Sequence, residues 1–179
     1  MSFRGRTRYL RGDVITDGIK VEINQAIRER LPETYDILIN SGLMIHPYVY
    51  KVVLTGSRGL ANSYRKNSDI DLSLLFEKRN LKSEENEENV LKDVLKITLS
   101  SWRSAIELDT AVVFDICNCQ LRCFDCETSN ENLCKEKGID CFGLYKIQKG
   151  FNGYVPRMGI DLARIYPMIT VYEKGVSYV

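Results

Sequence analysis

The stretch that most constrains the fold runs from residue 48 to residue 76, where two apolar segments flank a polar connection. Residues 48–54 (YVYKVVL) are rich in β-branched and aromatic side chains, which favour a strand. Residues 69–76 (DIDLSLLF) alternate Asp, Asp and Ser with Ile, Leu and Leu, which is typical of a strand with one buried face. The sequence therefore predicts a sheet in which these two segments are core strands.

Asp69 and Asp71 are the unusual residues of the second strand. Side chains two positions apart on a strand project from the same face, so the two carboxylates lie close together. Like charges at such a distance repel strongly unless a cation lies between them, and Asp is a poor strand former. The pair therefore predicts a metal site, and its hard oxygen donors favour Mg²⁺ over zinc.

The connection between the two strands begins with Gly56 and Ser57. A glycine-serine turn directly after a strand offers backbone N–H groups and a hydroxyl, which suit a phosphate. Arg58 adds a cationic donor beside them. A phosphate-binding turn next to a metal site is typical of nucleotide chemistry. An ordinary surface turn followed by an edge strand is the alternative interpretation.

A third carboxylate on a neighbouring strand would complete the metal site. Residues 106–114 (IELDTAVVF) predict that strand, and it offers two candidates, Asp109 near its start and Asp115 at its end. Their even spacing places both on one face. A strand beside residues 69–76 can bring only one of its ends to the aspartate pair, so the site has room for one of the two.

The remaining apolar spacings predict further helices and strands. The predicted helices are residues 13–31, residues 33–42 ending at Gly42, residues 58–65, a helix from the acidic segment 77–89 to about Trp102, and residues 160–166. The further predicted strands are residues 142–148 and a hairpin or helix-to-strand turn at 168–178. His46 is predicted to be a loop or surface residue.

Composition is that of a soluble globular domain. The chain has 179 residues, of which 44% are hydrophobic and 27% charged, and no apolar run approaches the ~20 residues that span a bilayer. The net charge of +1 argues against broad nucleic-acid binding. Residues 1–12 form a basic arm ahead of a domain at 13–179. The arm is either a solvated tail or a contact for a polyanionic acceptor or a partner protein, and its arginines are Arg4, Arg6, Arg8 and Arg11.

All six cysteines lie between positions 117 and 141. With no secretory signal in the basic N-terminus, they indicate a reducing compartment, and we expect a cytoplasmic protein. One cysteine pair has the two-residue spacing of zinc knuckles, so a structural zinc is one interpretation; free thiols and a disulfide are the others. The four candidate zinc ligands are Cys123, Cys126, Cys134 and Cys141.

The run Gly56-Ser57, followed by Ser68-Asp69-Ile70-Asp71-Leu72, resembles the signature of the DNA polymerase beta-like nucleotidyltransferase superfamily. The short chain and its GSRG…SDIDL pattern resemble the minimal nucleotidyltransferases of that superfamily. The resemblance covers residues 14–116 well and the rest weakly. It implies an α/β (α+β) fold with a mixed sheet and helices packed on one face. It also favours Asp109 as the third carboxylate, because the family's third acid leads its strand, and leaves the cysteine-rich segment as an insertion.

The resemblance implies Mg²⁺-dependent transfer of a nucleoside monophosphate, with ATP as the favoured donor, onto a hydroxyl of a protein or small-molecule acceptor. Two Mg²⁺ ions would be held by Asp69, Asp71 and Asp109, and the phosphates by Gly56, Ser57 and Arg58. With 179 residues, we expect no room for the long helical domain of template-using relatives. The alternatives are a catalytically silent nucleotide-binding or partner-binding module of the same fold, and an RNA-end nucleotidyltransferase, with nucleic acid the less favoured partner.

Overall fold

The computed structural model describes residues 8–11, 14–115, 142–155 and 168–177. Its strands are β1 (Arg8–Arg11), β2 (Val14–Asp17), β3 (Ile19–Lys20), β4 (Met44–Ile45), β5 (Val49–Thr55), β6 (Ile70–Phe76), β7 (Leu108–Asp115), β8 (Phe142–Lys146), β9 (Gly153–Val155) and β10 (Ile169–Glu173). Its helices are α1 (Gln25–Arg30), α2 (Pro32–Asn40) and α3 (Glu87–Ser101), with a 3₁₀ turn at Lys78–Asn80. The protein is therefore a mixed α and β structure, which confirms the coarse fold class.

A six-stranded sheet in the order β10-β5-β6-β7-β8-β9 organises the molecule. Strands β6 and β7 run parallel and the other neighbours run antiparallel, so the sheet is mixed. Parallel neighbours need a crossover connection, and α3 lies in the connection between β6 and β7. Two short antiparallel pairs, β1 with β2 and β3 with β4, stand apart from this sheet.

One hydrophobic core joins the helices to one face of the sheet. Alternate residues of β6 enter it, as the two-residue period of a strand requires. All three helices add side chains to the same cluster, and removal of this apolar surface from water is the main stabilising term of the fold. Members of the cluster include Ile27, Leu38, Val52, Ile70, Leu72, Leu74, Phe76, Leu91, Leu95, Val112 and Val171. The intervening residues of β6, Asp71 among them, therefore project from the opposite face.

Several predicted elements are confirmed with small shifts at their ends. Helix α3 begins where the acidic segment indicates, because the Asn86 side chain accepts a hydrogen bond from the Asn89 N–H at 3.0 Å. Pro32 opens α2 rather than interrupting it, and Gly42, with φ of 72°, follows the end of that helix. The predicted strands at 48–54, 69–76, 106–114 and 142–148 correspond to β5, β6, β7 and β8.

The helix predicted at 13–31 is wrong over most of its length. Residues 14–17 and 19–20 are strands, and the helix begins only at Gln25, after the Asn24 side chain accepts from the Ala26 N–H at 3.0 Å. Gly18 lies so close to a neighbouring helix that a Cβ there would approach Ile97 Cγ2 to 2.8 Å. The β-branched residues here find partner strands, and a tertiary partner of this kind outweighs helical spacing.

Two shorter predictions also differ from the structure. Residues 58–65 form turns and extended chain instead of a helix, because the segment closes on itself through bonds such as Ser63 N–H to Ser57 O at 2.9 Å. Residues 168–177 hold a single strand, β10, that pairs with β5 rather than forming a hairpin. The predicted turn at Lys174 and Gly175 is present, and Gly175 has φ of 84°.

Some predictions fall outside the described residues. These are the cysteine-rich segment with its candidate zinc ligands, the helix at 160–166, and the first half of the basic arm. In the second half of the arm, Arg8–Arg11 form β1, which pairs with β2. Among the described helices, none is both long and apolar enough to cross a membrane.

Candidate functional site

Gly56 and Asp71 form the centre of the site. Strand β5 ends at Thr55, which is paired with Asp71 of β6, so the chain leaves the sheet beside the aspartate. Gly56 has φ of 76°, a backbone conformation that glycine adopts readily. A Cβ on Gly56 would overlap the Asp71 carboxylate oxygen Oδ2. The turn and the carboxylate are therefore in direct contact, and only glycine fits between them.

Asp109 is the third carboxylate brought to this point. The parallel register pairs Asp71 of β6 directly with Asp109 of β7. Asp115 lies at the opposite end of β7, six residues farther along and therefore about 20 Å away at the rise of a strand. The register thus places Asp109, not Asp115, beside the aspartate pair.

Asp69 completes the group from the residue just before β6. Its carboxylate is partly exposed, at 24% of the side chain, and its charge raises the pKa of Asp71. The buried Ile70 lies between the two aspartates and points into the core. The alternation therefore sends both carboxylates to the same side of the sheet, as the sequence predicts.

The electrostatics of the group are unfavourable for negative charge. The pKa of the Asp71 carboxyl is raised to about 7, first because burial removes it from water. The Asp109 carboxylate adds repulsion and a hydrogen bond, Asp69 adds further repulsion, and Lys146 opposes these effects. Such a cluster binds cations favourably, because a positive charge relieves both the repulsion and the desolvation.

Two lysines already supply positive charge here. The Lys146 ammonium forms an ion pair with Asp109 Oδ1, and the Lys149 ammonium lies 2.8 Å from Asp69 Oδ2. Lys146 belongs to β8, and Lys149 lies in the turn after it, where both Lys149 and Gly150 have positive φ, 57° and 85°. The Asp69 carboxylate raises the pKa of Lys149 through this hydrogen bond.

Gln148 attaches the segment that carries Lys146 and Lys149 to β7. Its side-chain amide donates to Leu108 O at 2.8 Å and accepts from the Thr110 N–H at 3.0 Å. These two backbone groups flank Asp109 in sequence. The amide therefore holds the 146–149 segment in register with the third carboxylate.

Arg58 organises the loop that joins the turn to Asp69. Its guanidinium donates to three carbonyl oxygens, those of Arg65 at 3.2 Å, Lys66 at 3.0 Å and Ser68 at 2.6 Å. The residue is buried, and its own carbonyl accepts from the Thr34 hydroxyl of α2 at 2.8 Å. The sequence interpretation assigned Arg58 to phosphate, but the structure uses its guanidinium inside the loop.

The remaining predicted residues lie as follows. Ser57 follows Gly56 in the turn and is half-buried, and its carbonyl closes the loop by accepting from Ser63. His46 lies in the connection between β4 and β5, as predicted, but it is buried at 7% exposure and not on the surface. Its Nδ1 accepts from the Tyr48 N–H at 3.0 Å, so His46 is a structural residue of that connection.

The donor set fits a hard divalent cation such as Mg²⁺. Asp69, Asp71 and Asp109 offer carboxylate oxygens, which are the ligands that Mg²⁺ prefers. In the described part of the chain, no group of three His, Cys, Asp or Glu side chains is already arranged to hold a metal ion. Two of the three carboxylates form ion pairs with lysines, Asp109 with Lys146 and Asp69 with Lys149.

Sequence reasoning missed Lys146, Gln148 and Lys149. The only local signal was a pair of lysines around the end of the strand predicted at 142–148. Assigning them to the site requires the antiparallel register of β8 against β7, which pairs Tyr145 with Val112. Comparisons of this chain with family models, with curated proteins and with solved structures give no match.

Proposed function

We propose that this protein is a Mg²⁺-dependent nucleotidyltransferase that moves a nucleoside monophosphate, with ATP as the favoured donor, onto an acceptor hydroxyl. The observation that carries the proposal is the convergence of three carboxylates beside a glycine turn that tolerates no side chain. The fold would be that of a nucleotidyltransferase, with the cysteine-rich segment as an insertion. A structural zinc on Cys123, Cys126, Cys134 and Cys141 is part of the same proposal.

In this proposal the three aspartates hold Mg²⁺, and the glycine turn holds phosphate. Bound Mg²⁺ supplies charge neutralisation of the phosphates and a lower pKa for the acceptor hydroxyl. Gly56 lets the backbone approach the phosphates closely, and Ser57 adds a hydroxyl donor. In this proposal Asp109 receives the acceptor proton. The acceptor oxygen then bonds to the α-phosphorus as the bond to pyrophosphate breaks.

Arg58 has a positioning role in this scheme. Its guanidinium bonds the carbonyl of Ser68, the residue that precedes Asp69. Because its backbone also continues the Gly56-Ser57 turn, one side chain links the phosphate turn to the first carboxylate. Positioning of this kind matters in phosphoryl transfer, where catalysis depends mainly on orientation and electrostatics.

The proposed acceptors are ranked by the resemblance of the sequence. A protein hydroxyl is our first choice and a small molecule our second, since the minimal nucleotidyltransferases that the sequence resembles act on acceptors of both kinds. An RNA end ranks third, favoured only by the basic arm.

A catalytically silent nucleotide-binding or partner-binding module is the second candidate. The ion pairs Lys146–Asp109 and Lys149–Asp69 favour it, because they stabilise the carboxylates without any metal. Binding of a nucleotide with no turnover across a panel of acceptors would support this candidate over the enzyme.

The test is release of pyrophosphate. Purified protein is incubated with each labelled nucleoside triphosphate, Mg²⁺ and a cell lysate, and the labelled species is identified. The combined substitution Asp69→Asn and Asp71→Asn should reduce release by about 10²-fold or more. Asp115→Asn, the same change at the far end of β7, is the matched control and should retain activity. Full turnover in the double variant would end the proposal. Metal analysis of the purified protein tests the zinc.

A further inference from the structure

Lys149 is placed at the site without a role in the scheme above. We propose that Lys149 exchanges partners during nucleotide binding: it neutralises Asp69 in the metal-free protein, then releases Asp69 and pairs with the phosphates of the nucleoside triphosphate. This inference rests on the proposed function, because it assigns a new residue to the same site.

The two lysines differ in the freedom that this exchange requires. The Lys146 side chain is 13% exposed and extends from β8, whereas the Lys149 side chain is 49% exposed and extends from a turn. Lysine carries a compact, strongly hydrated charge on a flexible stem, so an exposed lysine can change partner at little cost. Lys149 is therefore the lysine that can leave its carboxylate most readily.

The base of the Lys149 side chain is nevertheless fixed. Gln148 bonds to the backbone on both sides of Asp109, and Ile147 packs against the core. The positive φ of Lys149 turns the chain directly after this anchor. The ammonium thus moves about a fixed point beside the carboxylates, where the nucleotide phosphates would also lie.

The Lys149 ammonium and a divalent cation compete for the Asp69 carboxylate, and this competition determines when Lys149 changes its partner. An oxygen that ligates a divalent cation cannot also hold an ammonium close by, because the two positive charges repel. Lys149 therefore weakens the binding of a divalent cation alone. A nucleoside triphosphate brings negative charge that receives the displaced ammonium, so cation and nucleotide should bind cooperatively.

The test separates these two effects in the variant Lys149→Gln. Two ligands are titrated by calorimetry: Mn²⁺ alone, and the non-hydrolysable α,β-methylene analogue of ATP in saturating Mn²⁺. Loss of the ammonium should tighten the binding of Mn²⁺ alone by about threefold, the size of an exposed ion pair. It should weaken binding of the analogue by about tenfold, the size of a charge-assisted hydrogen bond.

The matched control is Lys92→Gln on α3. Its ammonium lies 3.9 Å from Glu88, also in a partly exposed ion pair, and its removal should change neither affinity. Thermal unfolding of both variants checks that the fold is retained. The opposite directions of the two shifts distinguish exchange from a merely structural role.

Two results would overturn the exchange alone. One is a Lys149→Gln variant with both affinities unchanged, and the other is a variant with both affinities weakened together. Wild-type protein that binds Mn²⁺ but not the analogue would instead overturn the proposed function and the exchange with it. The wild-type titration therefore shows which of the two has failed.

Discussion

Gly56 shows how one missing Cβ shapes the site. The Asp71 carboxylate occupies the space where a side chain on Gly56 would lie, and the backbone there has φ of 76°. Both the lack of space for a Cβ and the positive φ favour glycine at position 56. Only the lack of space involves Asp71, a carboxylate of the proposed site. The two contributions can be separated, because Gly175 has a similar φ of 84° with no atom within 4 Å of its Cβ position.

We predict that Gly56→Ala abolishes pyrophosphate release, whereas Gly175→Ala retains it. Gly175→Ala should cost about 1 kcal/mol, the strain of a left-handed alanine. Gly56→Ala should cost about 1–3 kcal/mol, because the Asp71 carboxylate must also move. Thermal unfolding and release assays measure the two quantities. Equal effects of both substitutions would show that the contact with Asp71 is unimportant.

His46 is a buried titratable residue outside the group formed by Asp69, Asp71 and Asp109. Burial lowers its pKa to about 4, with the Glu85 carboxylate opposing the shift. The unfolded chain therefore binds a proton on this residue between about pH 6.5 and pH 4, while the folded chain does not. Stability from this residue is complete above pH 6.5 and is lost as the pH falls towards 4.

We predict that His46→Asn removes part of the acid sensitivity of the fold. Asn can accept the Tyr48 N–H that His46 accepts, but it does not titrate. The free energy of unfolding of the wild type should fall relative to the variant by about 3 kcal/mol between pH 6.5 and pH 4. Urea unfolding at four pH values measures the difference. A constant difference across this window would contradict the prediction.

At the scale of elements, the loop between β5 and β6 depends on the buried guanidinium of Arg58. Arg58 holds three carbonyls of a segment that has little secondary structure of its own. The sequence interpretation placed a short helix at 58–65, because local sequence does not reveal that the Arg58 guanidinium will bind the carbonyls of this loop. Hydrogen bonds to a charged group are strong enough to select the irregular conformation.

We predict that Arg58→Met loosens this loop without unfolding the sheet. Trypsin should cleave after the exposed Arg65 and Lys66 at least about tenfold faster, because the carbonyls of both residues lose a charge-assisted bond. Mass spectrometry of the digest identifies the sites, and Arg58→Lys should restore part of the protection. Unchanged cleavage at both sites would show that the loop is held by other contacts.

At the scale of the whole molecule, a residue early in the chain forms hydrogen bonds with a strand late in the chain. Asn24 accepts from Ala26 to cap α1, and its amide donates to Thr170 O of β10 at 2.8 Å. Its backbone N–H also bonds Val171 O at 2.8 Å. One residue therefore links the first helix to the edge strand beside β5, across 146 positions of sequence.

We predict graded destabilisation at Asn24. Asn24→Ser keeps a helix-capping oxygen but loses the amide donor, so it should cost about 1 kcal/mol. Asn24→Ala loses both interactions and should cost about 2 kcal/mol. Urea unfolding measures both values. Equal costs for the two variants would show that the cap contributes nothing, and that the bond to β10 alone explains the effect.

Local patterns were sufficient for the elements whose partners lie nearby in sequence. The alternation in 69–76 identified β6 and the common face of Asp69 and Asp71, because side-chain direction in a strand follows from its two-residue period. The caps and the apolar spacing identified α2 and α3, because these signals lie within each helix or directly beside it. The pattern at 13–31 misled, since the strands there are formed by pairing of β2 with β1 and of β3 with β4, which the spacing does not reveal.

The sequence by itself determined that two carboxylates would share one face next to a glycine turn. Only the tertiary structure decided which third acid joins them, because Asp109 and Asp115 have the same parity and differ only in the register of β7 against β6. Only the register of β8 against β7 could bring the lysines to the carboxylates. Register between strands distant in sequence depends on the packing of the whole sheet, which no short window of residues encodes.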